Sequence, residues 1–398
     1  MANLTIPKVT FWRAAVVLIF AAGIAAAWFR FAQGFAASTN LSDTVPWGLW
    51  VGLNTLCGVG LSAAGFAIAA AVYILGLERY RPVVRAAILI AFLGYSTVVI
   101  GMLFELGLPW RIWFPIVFWN PSSVLFEVAW CVMLYTTVLL LEFSPQFFEK
   151  FMPWRRLRQW YLGWHHRILI ALVLVGVLLS SLHQSYLGGL YLIMRDKLHP
   201  LWYSPQMHNL FFLSAIPAGL ALLVMVMYLA ARSLRARVDF NVAEEIGRVI
   251  LILLAFYAMF RGVDLAVRGH LHYVWQVSGE MAMFWLEIVL FLVLPVTLLF
   301  NPKVRRHPLR LYWTCSLVVM GFMANRLNVA ITALDASSGV RYVPKWSELA
   351  VSLAVITAAV VAFRLAVLHL DVFPRARELP ESRTVVYARP QPEPRVVS

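Results

Sequence analysis

Long apolar runs alternate along this chain with short segments rich in Arg, Pro and aromatic residues. Runs long enough to cross a hydrocarbon core of roughly 30 Å predict ten helices. Their approximate limits are 11–32, 48–77, 83–107, 122–143, 165–190, 206–232, 245–267, 280–300, 309–334 and 346–372. The first run follows a short polar leader, is as long as a true span and lacks a small-residue cleavage site, so it reads as retained. The second carries Gly52, Gly58, Gly60 and Gly65 with Ala63, Ala64 and Ala67, a composition suited to close helix packing. No internal repeat is evident. Pro380, Pro390, Pro392 and Pro394 among charges predict a disordered tail. The pattern divides the chain into 1–44 (leader and first helix), 45–372 (transmembrane domain) and 373–398 (tail). The expected class is an all-α polytopic membrane protein.

Lys and Arg fall in alternate connections, which gives the helices a direction. One set holds Arg79, Arg81 and Arg85; Lys150, Arg155, Arg156 and Arg158; Arg232, Arg235 and Arg237; Lys303, Arg305, Arg306 and Arg310; and Arg375 and Arg377. These are expected on the cytoplasmic side, with both termini. The other set is poor in net positive charge and rich in aromatic residues and Pro: Trp110, Trp113, Phe114, Pro115, Phe118 and Trp119, then Trp202, Tyr203 and Pro205. Such segments suit a membrane interface, a pocket rim or a partner's docking site.

Composition agrees: 62% hydrophobic and 13% charged residues is far from the balance of a soluble domain. The formal net charge of +14 would suit nucleic acid, but the basic residues sit between apolar runs, where membrane orientation accounts for them. No nucleic-acid partner is expected. Cys57, Cys131 and Cys315 each lie inside an apolar run without a Cys or His at ligand spacing, so no zinc or iron-sulfur site is encoded.

Eight polar residues interrupt the runs: Asn54, Glu105, Glu127, His183, Arg261, Asp264, Glu287 and Arg326. An ionisable group at mid-membrane costs roughly 2.5 to 3.5 kcal/mol, so a cluster of them needs a reason beyond folding. With the helices oriented, all eight fall toward the non-cytoplasmic side, and His183 and Gln184 are expected in the outer third of their span. Each has a structural alternative. Asn54 could be an interhelical hydrogen bonder, Glu105 and Glu287 could pair with Arg111 and Arg326, Arg261 and Asp264 could be a local ion pair, and His183 a satisfied core histidine. Scaffolding alone would scatter such pairs over both leaflets. A quinone carbonyl needs a donor and a proton route, and His with Glu or Asp in one layer supplies both. A haem would need two facing histidines, whereas only His183 lies deep in a span, which argues against haem. A transporter site would lie at the midplane between inverted repeats. A proton-translocating subunit would continue the polar file through Tyr73, Ser96, Tyr135 and Glu142. A plain anchor would leave the layer idle.

Several strings carry a resemblance: Pro46-Trp47-Gly48-Leu49-Trp50; Phe104-Glu105-Leu106-Gly107 with Arg111; Asn120-Pro121-Ser122-Ser123-Val124-Leu125-Phe126-Glu127; and Leu182-His183-Gln184-Ser185 with Gly188-Gly189. They resemble the NrfD, or polysulfide-reductase, membrane subunits. His199-Pro200-Leu201-Trp202, Asn325-Arg326-Leu327-Asn328 and Trp346-Ser347-Glu348-Leu349 are similar to the HybB branch, the membrane subunit of certain nickel-iron hydrogenases. The resemblance implies helical bundles in the bacterial cytoplasmic membrane that bind menaquinone or ubiquinone near the periplasmic face. It implies no haem or iron-sulfur cluster in this chain, and a periplasmic four-cluster ferredoxin-like iron-sulfur subunit leading to a catalytic subunit. Glu105, Glu127 and His183 match the family's acidic and His positions. Where the branch has a polar or acidic residue this chain has Asn54, whose amide cannot relay a proton as a carboxylate can.

The expectation is therefore a quinone-binding subunit of a respiratory oxidoreductase, most simply one delivering hydrogen-derived electrons. Glu105, Glu127 and Asp264 would handle protons. Asn54, His183, Gln184, Arg111 and Tyr135 would contact the head group, with Arg261 and Arg326 offsetting negative charge. Complexes with multihaem cytochromes or sulfur-compound reductases, and a proton-translocating or anchor role, are the alternatives.

Overall fold

The computed structural model describes residues 11–373, so the predicted leader and nearly all of the predicted tail lie outside the described residues. Among the described residues, ten helices are long and apolar enough to cross a membrane. They are α1 (Phe11–Gln33), α2 (Trp50–Ile74), α3 (Glu78–Glu105), α4 (Val124–Phe151), α5 (Arg155–Met194), α6 (Met207–Leu234), α7 (Phe240–Val267), α8 (Gly279–Phe300), α9 (Pro308–Ser338) and α10 (Trp346–His369). The expected all-helical class and number of spans hold.

The largest departures from the expected limits are at the junction of α4 and α5. Helix α4 continues through Pro145 to Phe151, and α5 begins at Arg155 rather than near residue 165. An apolar run ends where the lipid ends, whereas a helix stops where its backbone is broken. Here the break is Met152, held extended ahead of Pro153.

Ion pairs between connections that are remote in sequence put the basic segments at one end of the bundle. Arg79 meets Glu245 at 3.2 Å, Arg85 meets Glu149 at 3.8 Å, and Arg306 meets Glu244 at 3.4 Å. Arg85 also donates to the Asp371 carbonyl at 3.1 Å, which brings the end of α10 to this basic end. The opposite, aromatic end carries the segments rich in Trp and Pro.

Helices α2–α5 form one bundle and α6–α9 a second, joined where α6 crosses α2 and α5 and where α9 crosses α2. The α2–α6 crossing depends on Gly219, whose missing side chain lets α6 lie on the backbone of Ala63 and Ala64; a Cβ there would sit 2.5 Å from the Ala64 nitrogen. In lipid, close approach of small residues replaces the hydrophobic drive of water. Helices α1 and α10 pair with each other and pack on the first bundle mainly through α3. Helix α2 opens with a π-helical stretch, Trp50–Cys57, whose i→i+5 bonds widen the helix around Asn54 and Thr55.

Candidate functional site

At the aromatic end, α2, α3, α4 and α5 enclose a cavity of about 310 Å³. One wall is the Trp47-Gly48-Leu49-Trp50 turn. It is fixed from outside: the Trp50 indole donates to the Glu348 carbonyl at 3.1 Å, and the Leu49 N–H donates to the Tyr342 hydroxyl at 3.0 Å. Tyr342 in turn donates to Glu348, whose other oxygen accepts from the Asn40 and Lys345 backbone at 3.2 and 2.9 Å. Burial and the Glu348 carboxylate push the Tyr342 phenol up, so it stays a donor. The loop before α2 is thus latched to the start of α10.

The cavity is apolar and aromatic except at two places. Glu105, the last residue of α3, accepts from Thr55 Oγ1 at 2.9 and 3.1 Å, and both residues line the space. Tyr191, 1% exposed, lines another wall edge-on to Trp47 with ring centroids 4.9 Å apart, and its hydroxyl has no partner among the described residues. A buried hydroxyl without a partner costs about 1–3 kcal/mol, so a ligand group facing Tyr191 would recover that energy. The end of α3 is itself pinned: Arg30 of α1, buried against the Phe35 ring, donates to the Phe104 and Leu106 carbonyls at 3.1 and 2.7 Å. These are carbonyls left free at a helix C-terminus, where a cation is favoured.

A second polar file begins below the floor. His183, fully buried, hydrogen-bonds through Nδ1 to the Tyr95 hydroxyl at 2.8 Å, and its Nε2 has no partner. Tyr95 lies about 15 Å below the end of α3, counting its rise, so His183 sits well below Glu105 in the bundle. The Tyr95 ring meets Tyr135 edge-on, centroids 4.6 Å apart. Gly176 then brings α5 onto Tyr135 and Glu142, its Cβ position lying 3.6 Å from the Tyr135 ring and 3.5 Å from Glu142 Oε1. Glu142 is buried and has no ion-pair partner among the described residues. One turn on, Gln146 reaches a basic-end vestibule of about 740 Å³, lined also by Glu78, Arg81, Arg85, Glu149 and Lys150.

The second bundle holds the remaining charges in closed networks. Glu287 accepts from the Trp202 indole at 3.0 Å, Asn325 at 3.1 Å and Asn328 at 2.8 Å. Arg326 donates to Asn325 Oδ1 at 2.6 Å, Ser214 at 2.8 Å and the Phe211 carbonyl at 3.1 Å, between the Phe211 and Phe322 rings. Asp264 takes Arg268 at 2.7 Å and Ser204 at 2.6 Å, with Arg261 at 3.8 Å and turned toward the Leu201 carbonyl.

Several expected pairings are replaced. Glu105 pairs with Thr55 rather than Arg111, which is exposed over the Phe114 ring. Glu287 reaches Arg326 only through Asn325, whereas the expected Arg261–Asp264 pair is present at 3.8 Å, with Arg268 as the closer cation at 2.7 Å. Of the sequence candidates, Glu105 alone lines the aromatic-end cavity. Glu127 shares a turn with the lining residues Leu125 and Val128 but is half-buried near Cys131 and Tyr186. Tyr135 and His183 lie beneath the cavity. Gln184 donates to the Val59 carbonyl at 2.8 Å and ties α5 to α2. Asn54 lies on another side of α2, in a separate groove. Thr55, Tyr191, Tyr95 and Arg30 were not among the sequence candidates. Hydroxyls and a terminal Arg are common in membrane helices, and only the rotation of each helix singles them out. Among the described residues there is no group of three or more His, Cys, Asp or Glu suited to a metal.

The family model described as Polysulphide reductase, NrfD matches residues 37–335. A Nitratidesulfovibrio vulgaris protein without a functional name is 35% identical over 358 residues, 87% of this chain and 90% of its own length. The probable Ni/Fe-hydrogenase 2 b-type cytochrome subunit of Escherichia coli K12 is 28% identical across 89% of this chain and 90% of its own. The integral membrane subunit of menaquinone reductase from N. vulgaris is 26% identical across 94% of both chains.

Proposed function

The chain belongs to the polysulphide reductase, NrfD family, and from that premise we propose that it exchanges electrons between an iron-sulfur partner and the membrane quinone pool, with the aromatic-end cavity as its quinone site. The observation that carries this reading is the lining: an apolar, aromatic pocket whose polar groups are the Glu105–Thr55 pair and the unpartnered Tyr191 hydroxyl. Ligand pockets combine such walls with a few placed donors and acceptors. A bound quinone carries electrons and protons together, and its ring oxygens accept hydrogen bonds. Tyr191 donates to one such oxygen. Thr55 steadies the Glu105 carboxyl, which gives or takes a proton at the other. Half-buried Glu127 is the second carboxyl near this end and the candidate for passing protons to the surface. The excess of Arg and Lys at the basic end supports a cytoplasmic placement of that end, which would turn the quinone site and the exposed Trp110, Trp113 and Trp119 toward the periplasm of a bacterial cytoplasmic membrane.

The names of the E. coli and N. vulgaris relatives favour a nickel-iron hydrogenase as the partner and menaquinone as acceptor; the four-cluster ferredoxin-like subunit, and ubiquinone as the other acceptor, rest on the family resemblance of the sequence strings. A multihaem-cytochrome or sulfur-compound reductase partner would use the same pocket. The test is Glu105→Gln and Tyr191→Phe in the intact complex. Quinone-linked turnover should fall about 100-fold for Glu105→Gln, the scale of one lost acid-base group, while partner activity with a soluble dye stays unchanged. Quinone turnover unaffected in both variants would overturn the assignment.

A specific observation also favours proton uptake from the basic end. The file Gln146, Glu142, Tyr135, Tyr95 and His183 runs from the vestibule to the cavity floor, and its carboxyl has no counter-ion. In this reading Glu142 collects protons and His183 delivers them upward. Reconstituted complex should alkalinise the compartment facing the basic end during quinone reduction, and Glu142→Gln should remove that signal. A signal that persists unchanged in Glu142→Gln rules the route out.

A further inference from the structure

Asn54 and Thr55 are consecutive in α2 yet face different spaces. Thr55 lines the cavity of Glu105, whereas Asn54 lines a groove of about 560 Å³ between α2, α3, α6, α9 and α10. Asn54 is 3% exposed and neither its Nδ2 nor its Oδ1 has a partner among the described residues. The groove below it is almost wholly apolar: Leu222, Val226, Val319, Met323, Ile356 and Phe363 form most of its walls. The hydroxyls of buried Ser62 and half-buried Thr97 already donate within their own helices, Ser62 to the Gly58 carbonyl at 2.7 Å and Thr97 to the Gly94 carbonyl at 2.6 Å. From Leu222 to Leu234 along α6 the groove runs for about 18 Å and ends beside the exposed Ser233 and Arg364.

We propose that this groove holds a second isoprenoid quinone, its head group on Asn54 and its tail along the apolar channel toward the basic end. An amide is both donor and acceptor: Nδ2 donates to a quinone carbonyl, and Oδ1 accepts from a quinol hydroxyl, so one side chain serves both redox forms. A water molecule is a poor occupant, because it needs two to four polar partners and the other lining hydroxyls are engaged. A phospholipid places its polar group at Arg364 and presents a chain end to Asn54, leaving the amide unsatisfied. The two quinones would lie on different sides of α2, a helix roughly 10–12 Å across with its side chains. One exchanges at the Glu105 pocket, and the other is screened by α10.

This inference rests on the quinone-linked reading above. The test uses an isoprenoid azidoquinone photolabel on the complex purified from its native membrane, with peptides of α10 and of the Glu105 pocket quantified separately. Label should appear on both sets. Asn54→Leu should lower α10 labelling about fivefold, the effect of one hydrogen bond, and leave the pocket set unchanged. Ala359→Trp, which fills the groove from α10 and leaves Asn54 intact, should lower the same signal and guards against a misfolded first variant. Label confined to the Glu105 peptides overturns the second site and spares the first. A phospholipid retained by wild type and lost from both variants, with no α10 label, also overturns it. No label on either set defeats both readings.

Discussion

Glu105, partly buried, and Glu287, fully buried, both lie toward the aromatic end of their bundles, and the difference lies in their partners. Glu287 is held by three donors from two elements, whereas Glu105 receives one threonine hydroxyl and opens onto a cavity. A side chain fully enclosed by donors specifies packing; one held at a single point is free to exchange protons. Glu287→Ala should therefore lower the melting temperature of the detergent-solubilised complex sharply, since each orphaned donor costs about 1–3 kcal/mol, with a calorimetric scan as the measurement. Arg326→Met removes a cation stacked between Phe211 and Phe322 and leaves Asn325 and Ser214 short of a donor. The expected loss is about 3–5 kcal/mol, and Arg326→Lys should restore only part of it, because a point charge cannot reproduce the planar stack. The identities of these residues were legible from their placement in apolar runs. Their partners were not: Asn325, Asn328 and Trp202 converge on Glu287 only once α8, α9 and the loop before α6 have their rotations.

Among the elements, the apolar runs found the helices because a bilayer sets a minimum length, but they located the ends poorly where a helix outlasts the lipid. Helix α5 runs from Arg155 through Met194, far longer than its apolar run, so its first turns stand outside the hydrocarbon at the basic end. The alternative winding of Trp50–Cys57 was equally invisible, since nothing in side-chain pattern distinguishes five-residue from four-residue hydrogen bonding over two turns. Its effect is local: it widens α2 beside Asn54 and Thr55, which face different spaces. The crossing of α6 on α2 is where packing is least forgiving. Gly219→Leu should push α6 off the Ala63–Ala64 backbone at a cost of about 1–3 kcal/mol or more, seen as a lowered melting temperature with both bundles still helical by circular dichroism. An equal melting temperature would mean that the helices slide apart without penalty.

At the scale of the molecule, charge asymmetry, the two bundles and the cavity share one axis, and sidedness is open to direct measurement. Cys57, Cys131 and Cys315 are all buried, so single cysteines can be introduced without removing them. In intact spheroplasts Ser42→Cys and Ser278→Cys should react with a membrane-impermeant maleimide, while Arg235→Cys should react only after permeabilisation; the reverse pattern would invert the orientation. Of the family-like strings, the Trp47–Trp50 turn and Glu105 border the cavity proposed as the quinone site. The orientation of the apolar runs gathers into one layer residues that the fold distributes among a pocket, a deeper file and a separate groove, because run position gives depth but not the rotation of each helix.

The pairing of α1 with α10 bears on how the chain is made. Of the ten described helices α1 is made before all the others and α10 after them, yet each is the other's main neighbour, and Gly23 fits against Ala354 where they touch. Throughout synthesis α1 therefore waits in lipid, held by little more than Arg30 on the end of α3. The wall of the cavity waits as well, because the turn before α2 is latched only when Tyr342 and Glu348 arrive. A nascent chain halted before Trp346 would contain most of the cavity's side chains without a finished wall, so the cavity is completed only when α10 arrives.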